Sequence, residues 1–180
     1  MKLTMPEPND FDLEDWLNHW DMQSVPDFDD KVRECEFFFE QLATEVDRNK
    51  FRWLLSGFLN AAYSFFESTA LAAHFRFTDA DGNPYEDDDG LSVLRRHVKV
   101  EQRKSKPEYV KTTGLTPLTK QLYEIRKKCT HHFPLSIMVT GVSLPEDFHL
   151  GNMRGEGTPA MPFCREVLQL IRSIYAEVDW

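Results

Sequence analysis

Arg126, His131 and His132 lie in the stretch EIRKKCTHHFP, residues 124–134. They combine a permanent cation with two proton carriers. Arginine presents a planar, always charged fork that matches the geometry of a phosphate. Histidine takes or releases a proton near neutral pH. Such a set suffices to cleave RNA without a metal: one group takes the proton of a ribose 2′-OH, and another stabilises the charge growing on phosphorus. Lys127 and Lys128 stand between them and add positive charge. The same residues have a plainer use, because cations in the last turn of a helix favour its negative end by up to about 1 kcal/mol.

The elements that must position these side chains follow from the surrounding pattern. Thr116 followed by Pro117 is a helix start, with Thr as the cap and Pro at the first helical position. Pro134 disfavours helix at the residue before it, so the helix stops near His131 or His132. Leu118, Leu122 and Ile125 then point inward, with Cys129 a turn further on. Arg126 and His131 are five residues apart, which places them about 140° apart around one helix. They converge on one atom only if the helix end unwinds or two copies of the helix meet, which makes a homodimer the expected assembly.

Upstream, Leu13, Trp16, Leu17 and Trp20 have the spacing of a short amphipathic helix. Val32, Cys35, Phe38, Phe39, Leu42 and Val46 form the apolar stripe of a second helix, capped by Asp29 or Asp30. A long helix is expected from Asn49 as cap to Phe77, about 40 Å in length. Its stripe includes Phe51, Leu55, Phe58, Ala61, Ala62 and Phe65, and its small residues, Gly57 among them, allow another helix to approach closely. Arg52, Asn60 and Glu67 interrupt its apolar run, so a buried helix is expected rather than a membrane span.

Asp79, Asp81 and Asn83 alternate as in a calcium loop, but Pro84 and Gly90 occupy the positions that need Gly and Glu, so a solvated loop is expected. Residues 91–104 read as a short helix around Leu91, Leu94 and Val98 followed by an exposed basic run. Ile137, Val139 and Val142 mark a β-like segment, 143–160 reads as irregular, and a last amphipathic helix begins near Pro162.

The whole chain of 180 residues is acidic, with a net charge of −9. Its charge is unevenly placed. Between Leu91 and His132, 11 Lys and Arg stand against 3 Asp and Glu, a net of +8, while the remainder nets −17. Such a basic middle either faces an anion or complements the acidic parts of the same chain. As an anion track it would use Arg95, Arg96, Lys99, Arg103 and Lys104 to follow a phosphate backbone. Three widely spaced cysteines, Cys35, Cys129 and Cys164, form no disulfide framework, and no signal peptide is read at the start, so a reduced cytoplasmic setting is expected. Cys129, His131 and His132 amount to part of a metal site at most, with no second ligand pair placed by the sequence, and no metal or cofactor is expected.

The arginine followed after four or five residues by histidine, near the end of a helix, resembles the signature of the HEPN superfamily. The preceding NKFRWLLSGFLNAAYSFFESTALAA resembles the long helix of its prokaryotic members, and the likeness covers roughly residues 30–134. Arg126 matches the motif arginine, and His131 or His132 the histidine. Lys127 follows the arginine where the family most often has Asn. The resemblance implies an all-helical bundle; joined to the reading of the residues above, it makes the expected fold mainly α, a HEPN-like helical bundle over residues 29–180 with a small β-like segment in its last third and residues 1–28 as a helical extension. It implies a metal-independent ribonuclease of toxin or defence kind acting as a homodimer, with Arg126 binding phosphate and His131 or His132 moving protons. The alternative is a catalytically silent bundle that binds a nucleotide, or a protein partner such as an antitoxin, through the same basic groove.

Overall fold

The computed structural model describes residues 28–77, 89–103, 106–131, 134–151 and 157–178, apart from a few side chains at the ends of these stretches. The fold is predominantly helical, as expected. Helices α1 (Phe28–Leu42), α2 (Arg48–Phe77), α3 (Asp89–Arg95), α4 (Pro117–His131) and α5 (Ala160–Glu177) carry two small antiparallel sheets. One is the hairpin β1 (Val98–Arg103) and β2 (Lys106–Gly114); the other is β3 (Ile137–Val139), β4 (Phe148–Leu150) and β5 (Thr158–Pro159), in the order β3-β4-β5. Among the described residues no helix is long and apolar enough to cross a membrane.

Helix α2 is the strut. Its 30 residues span about 45 Å at 1.5 Å per residue. Asp47 starts it by accepting hydrogen bonds at 2.9 Å from the backbone N–H groups of both Asn49 and Lys50. The expected cap, Asn49, lies inside the helix instead: the carboxylate two residues earlier satisfies two of the amides that a helix start leaves open. Those bonds hold the Asp47 carboxyl below the usual aspartate range.

Phe51, Leu55, Phe58, Leu59, Phe65 and Phe66 of α2 are fully buried or nearly so. Helix α1 lies against them, and Gly57 sets how closely. A Cβ there would meet the Phe38 ring at 2.5 Å, so the absent side chain is the space that the ring occupies. Val46, expected on the stripe of α1, lies beyond the end of that helix and is 58% exposed. The apolar face of α5, with Phe163, Val167, Leu168, Ile171 and Ile174, closes the core.

Two sequence expectations need correction. The basic run after α3 is the hairpin: Val98 is buried and Val100 half-buried, while Lys99 and Glu101 are exposed, which is the period of a half-buried strand. Within 143–160, strands β4 and β5 form where an irregular segment was expected, with Phe148 and Leu150 buried. The Asp/Asn loop at 79–90 lies outside the described residues except for its last two, which open α3; the helix expected around Trp16 lies wholly outside them.

Candidate functional site

Helix α4 begins as its sequence requires. Thr116 Oγ1 accepts a bond of 3.4 Å from the Thr119 N–H, and the buried Thr119 hydroxyl donates to the His97 carbonyl at 2.7 Å. The helix start is thereby tied to the turn before β1. At Gly114, a Cβ would sit 2.5 Å from the Lys120 nitrogen, so the end of β2 presses directly on the first turn of α4.

Further along, α4 packs against α2 through aromatic and polar groups. The Tyr63 and Tyr123 rings meet edge to face, 5.1 Å between centroids. The Tyr63 hydroxyl donates to Glu67 Oε1 at 2.5 Å, and the hydroxyls of Tyr123 and buried Thr112 share a bond of 2.6 Å. The Arg126 guanidinium carbon lies 4.0 Å from the centre of the Tyr63 ring, so the cation sits on the ring's negative face. Burial, and then the bond to Glu67, push the Tyr63 hydroxyl up to about 12, with Arg126 pulling the other way. Burial likewise pushes Tyr123 upward. Both phenols stay protonated at neutral pH; Tyr63 donates to Glu67, and either hydroxyl of the Tyr123–Thr112 pair can be the donor. Cys129, half-buried, is pushed up to about 11 and stays a thiol.

Arg126 therefore belongs to the inward side of α4, and Lys127 and Lys128 to its exposed side. The backbone of His131 is the last residue of the helix; its side chain, and all of His132, lie outside the described residues. Five residues of rise place the Arg126 and His131 backbones about 7.5 Å apart along the axis.

The expected phosphate track is divided. Arg96 pairs with Glu177 of α5 at 2.6 Å, which uses it as a complement to the acidic part of the chain. Arg95 and Lys99 are exposed, while Lys104 and the Arg103 side chain lie outside the described residues. Arg95 and Arg96 sit at the start of α4, because the next residue, His97, bonds Thr119. From Thr119 to His131 is about 18 Å. The basic residues before β1 and the candidate histidines thus lie at opposite ends of one helix.

The sequence reading missed Tyr63, Glu67, Tyr123 and Thr112 as site residues. A signal existed. Arg52, Ser56, Asn60, Tyr63 and Glu67 recur at helical spacing, fall within about 80° of one another around α2, and are all half-buried. They form a polar stripe beside the apolar one. At its far end, Arg48, Asn49 and Arg52 face residues 134–137 across a cleft of about 260 Å³. No family model matches this chain, and neither a curated protein nor a solved structure matches it.

Proposed function

We propose that this protein binds single-stranded RNA along the α2–α4 seam and cleaves it without metal, in the manner of a HEPN ribonuclease. The observation that supports this reading is Arg126 stacked on Tyr63. A permanently charged planar fork lies over the Tyr63 ring, about 7.5 Å along the helix from the backbone of His131. In this reaction His131 or His132 takes the proton of the 2′-OH, whose oxygen attacks phosphorus. Arg126 stabilises the charge on the phosphoryl oxygens, and the P–O5′ bond breaks. The 5′ oxygen leaves with a proton, and a 2′,3′-cyclic phosphate remains. The homodimer expected from the divergence of Arg126 and His131 would supply the second histidine from a neighbouring copy.

The test is cleavage of a labelled single-stranded RNA in the presence of a chelator, with cyclic phosphate ends as the signature. Arg126→Ala and His131→Ala should each lower the rate at least 100-fold with the fold intact, and the double variant should be little worse, because residues acting in one transition state are strongly non-additive. His132→Ala tells which histidine is used. A wild-type protein that cuts no RNA overturns the enzyme reading. Light scattering at micromolar concentration checks the dimer.

A second reading has an observation of its own. The Arg126 side chain is half-buried against its own chain, on the face of the Tyr63 ring. That arrangement suits a silent bundle in which Arg126 is part of the packing and the basic end of α4 binds a nucleotide or a protein. Tight binding without cleavage would select it.

A further inference from the structure

Helix α2 opens with two arginines, Arg48 and Arg52, that lie outside the ion pairs seen elsewhere among the described residues. Arg96, Arg165 and Arg172 each carry a carboxylate, from Glu177, Glu146 and Glu36. In a chain with 30 Asp and Glu against 21 Lys and Arg, such pairing is easy to find. Arg48 and Arg52 are different: among the described residues neither makes an ion pair or a side-chain hydrogen bond, although the charge of Arg48 adds to the backbone amide bonds that hold the Asp47 carboxyl down. The nearby Asp47 carboxylate is occupied by the amides of Asn49 and Lys50. The two guanidinium groups are four residues apart, hence one above the other on the same side of the helix. They line one wall of the 260 Å³ cleft, and residues 134–137 form the other.

We propose that this cleft is a seat for a phosphate group, separate from Arg126. Two arginine forks converging on a small polar cleft match a tetrahedral oxyanion, which each can hold with paired N–H donors. The Asn49 side-chain amide and the Ser136 hydroxyl, both at the cleft, add neutral donors. The volume is below that of pockets for drug-sized ligands, and it suits one phosphate. The helix end is not the binding element, since Asp47 already takes its first amides.

Its position gives the seat a use. Pro134, on the far wall, is three residues beyond His131, so the two Cα atoms are within about 11 Å. Arg52 and Tyr63, the platform for Arg126, are eleven residues apart on α2, about 16 Å along its axis. One phosphate cannot touch both places, but a polymer can. Identifying the occupant as an RNA phosphate rests on the ribonuclease reading; the seat itself does not.

The experiment measures binding of a non-cleavable 2′-O-methyl RNA ten-mer, a 2′-O-methyl dinucleotide and inorganic phosphate to the full chain at low salt. The proteins are wild type, Arg48→Gln, Arg52→Gln, Ser136→Asp and Arg126→Ala. Ser136→Asp leaves both arginines in place and puts a carboxylate in the cleft, so a folding defect in an arginine variant does not decide the result. Each cleft variant should weaken the ten-mer at least fivefold. Each arginine change should also flatten its log–log salt slope by about 0.7. The dinucleotide, too short to bridge the cleft and Arg126, should bind at least tenfold more weakly than the ten-mer. If inorganic phosphate depends on the cleft residues and the ten-mer does not, the seat stands as a free-phosphate site, and the RNA reading falls only if the ten-mer fails to bind at all. If the ten-mer binds and Arg126→Ala weakens it while the cleft variants change neither the ten-mer nor inorganic phosphate, the seat is overturned and the RNA reading survives. If none of the three probes binds, the seat is overturned.

Discussion

Helix α2 has two seams, and they are built by different rules. Toward α1 and α5 its side chains are phenyl and alkyl groups, fully buried, and Phe38 fills the space over Gly57. Toward α4 it offers Tyr63, whose ring meets the Tyr123 ring edge-on and carries the Arg126 cation on its face, while its hydroxyl is held by Glu67 of the same helix. The apolar seam is held by burial, which has no direction and scales with area. The polar seam is held by groups that each need a particular partner at a particular angle. The first suits stability; the second leaves half-buried charge and donors near the surface, where a ligand can compete for them.

The comparison is broken most severely by emptying the apolar seam. Phe58→Ala should cost about 3–5 kcal/mol in urea unfolding, with the slope unchanged. The polar seam should give way more gently. Arg126→Ala should cost about 0.5–2 kcal/mol, the range for a cation on an aromatic face, and should also remove the proposed RNA cleavage. Arg126→Lys should keep the charge and lose the fork. If Arg126→Ala destabilises as much as Phe58→Ala, the arginine is a core residue and the silent-bundle reading gains.

Smaller again is Tyr63→Phe, which removes only the hydroxyl bonded to Glu67. About 0.5–1.5 kcal/mol is expected, and a double-mutant cycle with Glu67→Gln should show the two changes to be coupled. The smallest effect is alkaline. The Tyr63 phenol has its folded value raised to about 12 from an ordinary value of about 10. The unfolded chain therefore loses its proton first. The contribution of Tyr63 to stability is complete below about pH 10 and disappears as the pH rises toward 12. Tyr63→Phe should flatten that decline, and phenolate absorbance should report the late titration directly.

Much of the polar seam was written in the chain but hidden by the apolar pattern beside it. Arg52, Asn60 and Glu67 read as interruptions of a buried run, whereas with Ser56 and Tyr63 they make a second stripe. Tyr63 is the reason: tyrosine counts as apolar in a periodicity argument, yet its hydroxyl and ring face are what bond Glu67 and hold Arg126. The hairpin was obscured for a similar reason. Its alternation is carried by Val98 and Val100 among charges, and a run of lysine and arginine looks like a solvated helix or loop until its partner strand is present. Strands β4 and β5, with three and two residues, are too short to show any period.

By itself the sequence determined the local elements: the long helix α2, the start of α4 at Thr116–Pro117, its stop before Pro134, the apolar stripe of α5, and an acidic chain with a basic middle. These depend on caps, proline geometry and periodicity, which act within a few residues. Only the tertiary structure decided which cations meet which partners. It laid Arg126 on Tyr63, 63 positions earlier, paired Arg96 with Glu177, and left Arg48 and Arg52 facing the segment that follows α4. Charge–charge and cation–ring contacts depend on distance and angle across the packed helices, and no pattern along one helix encodes where another will cross it.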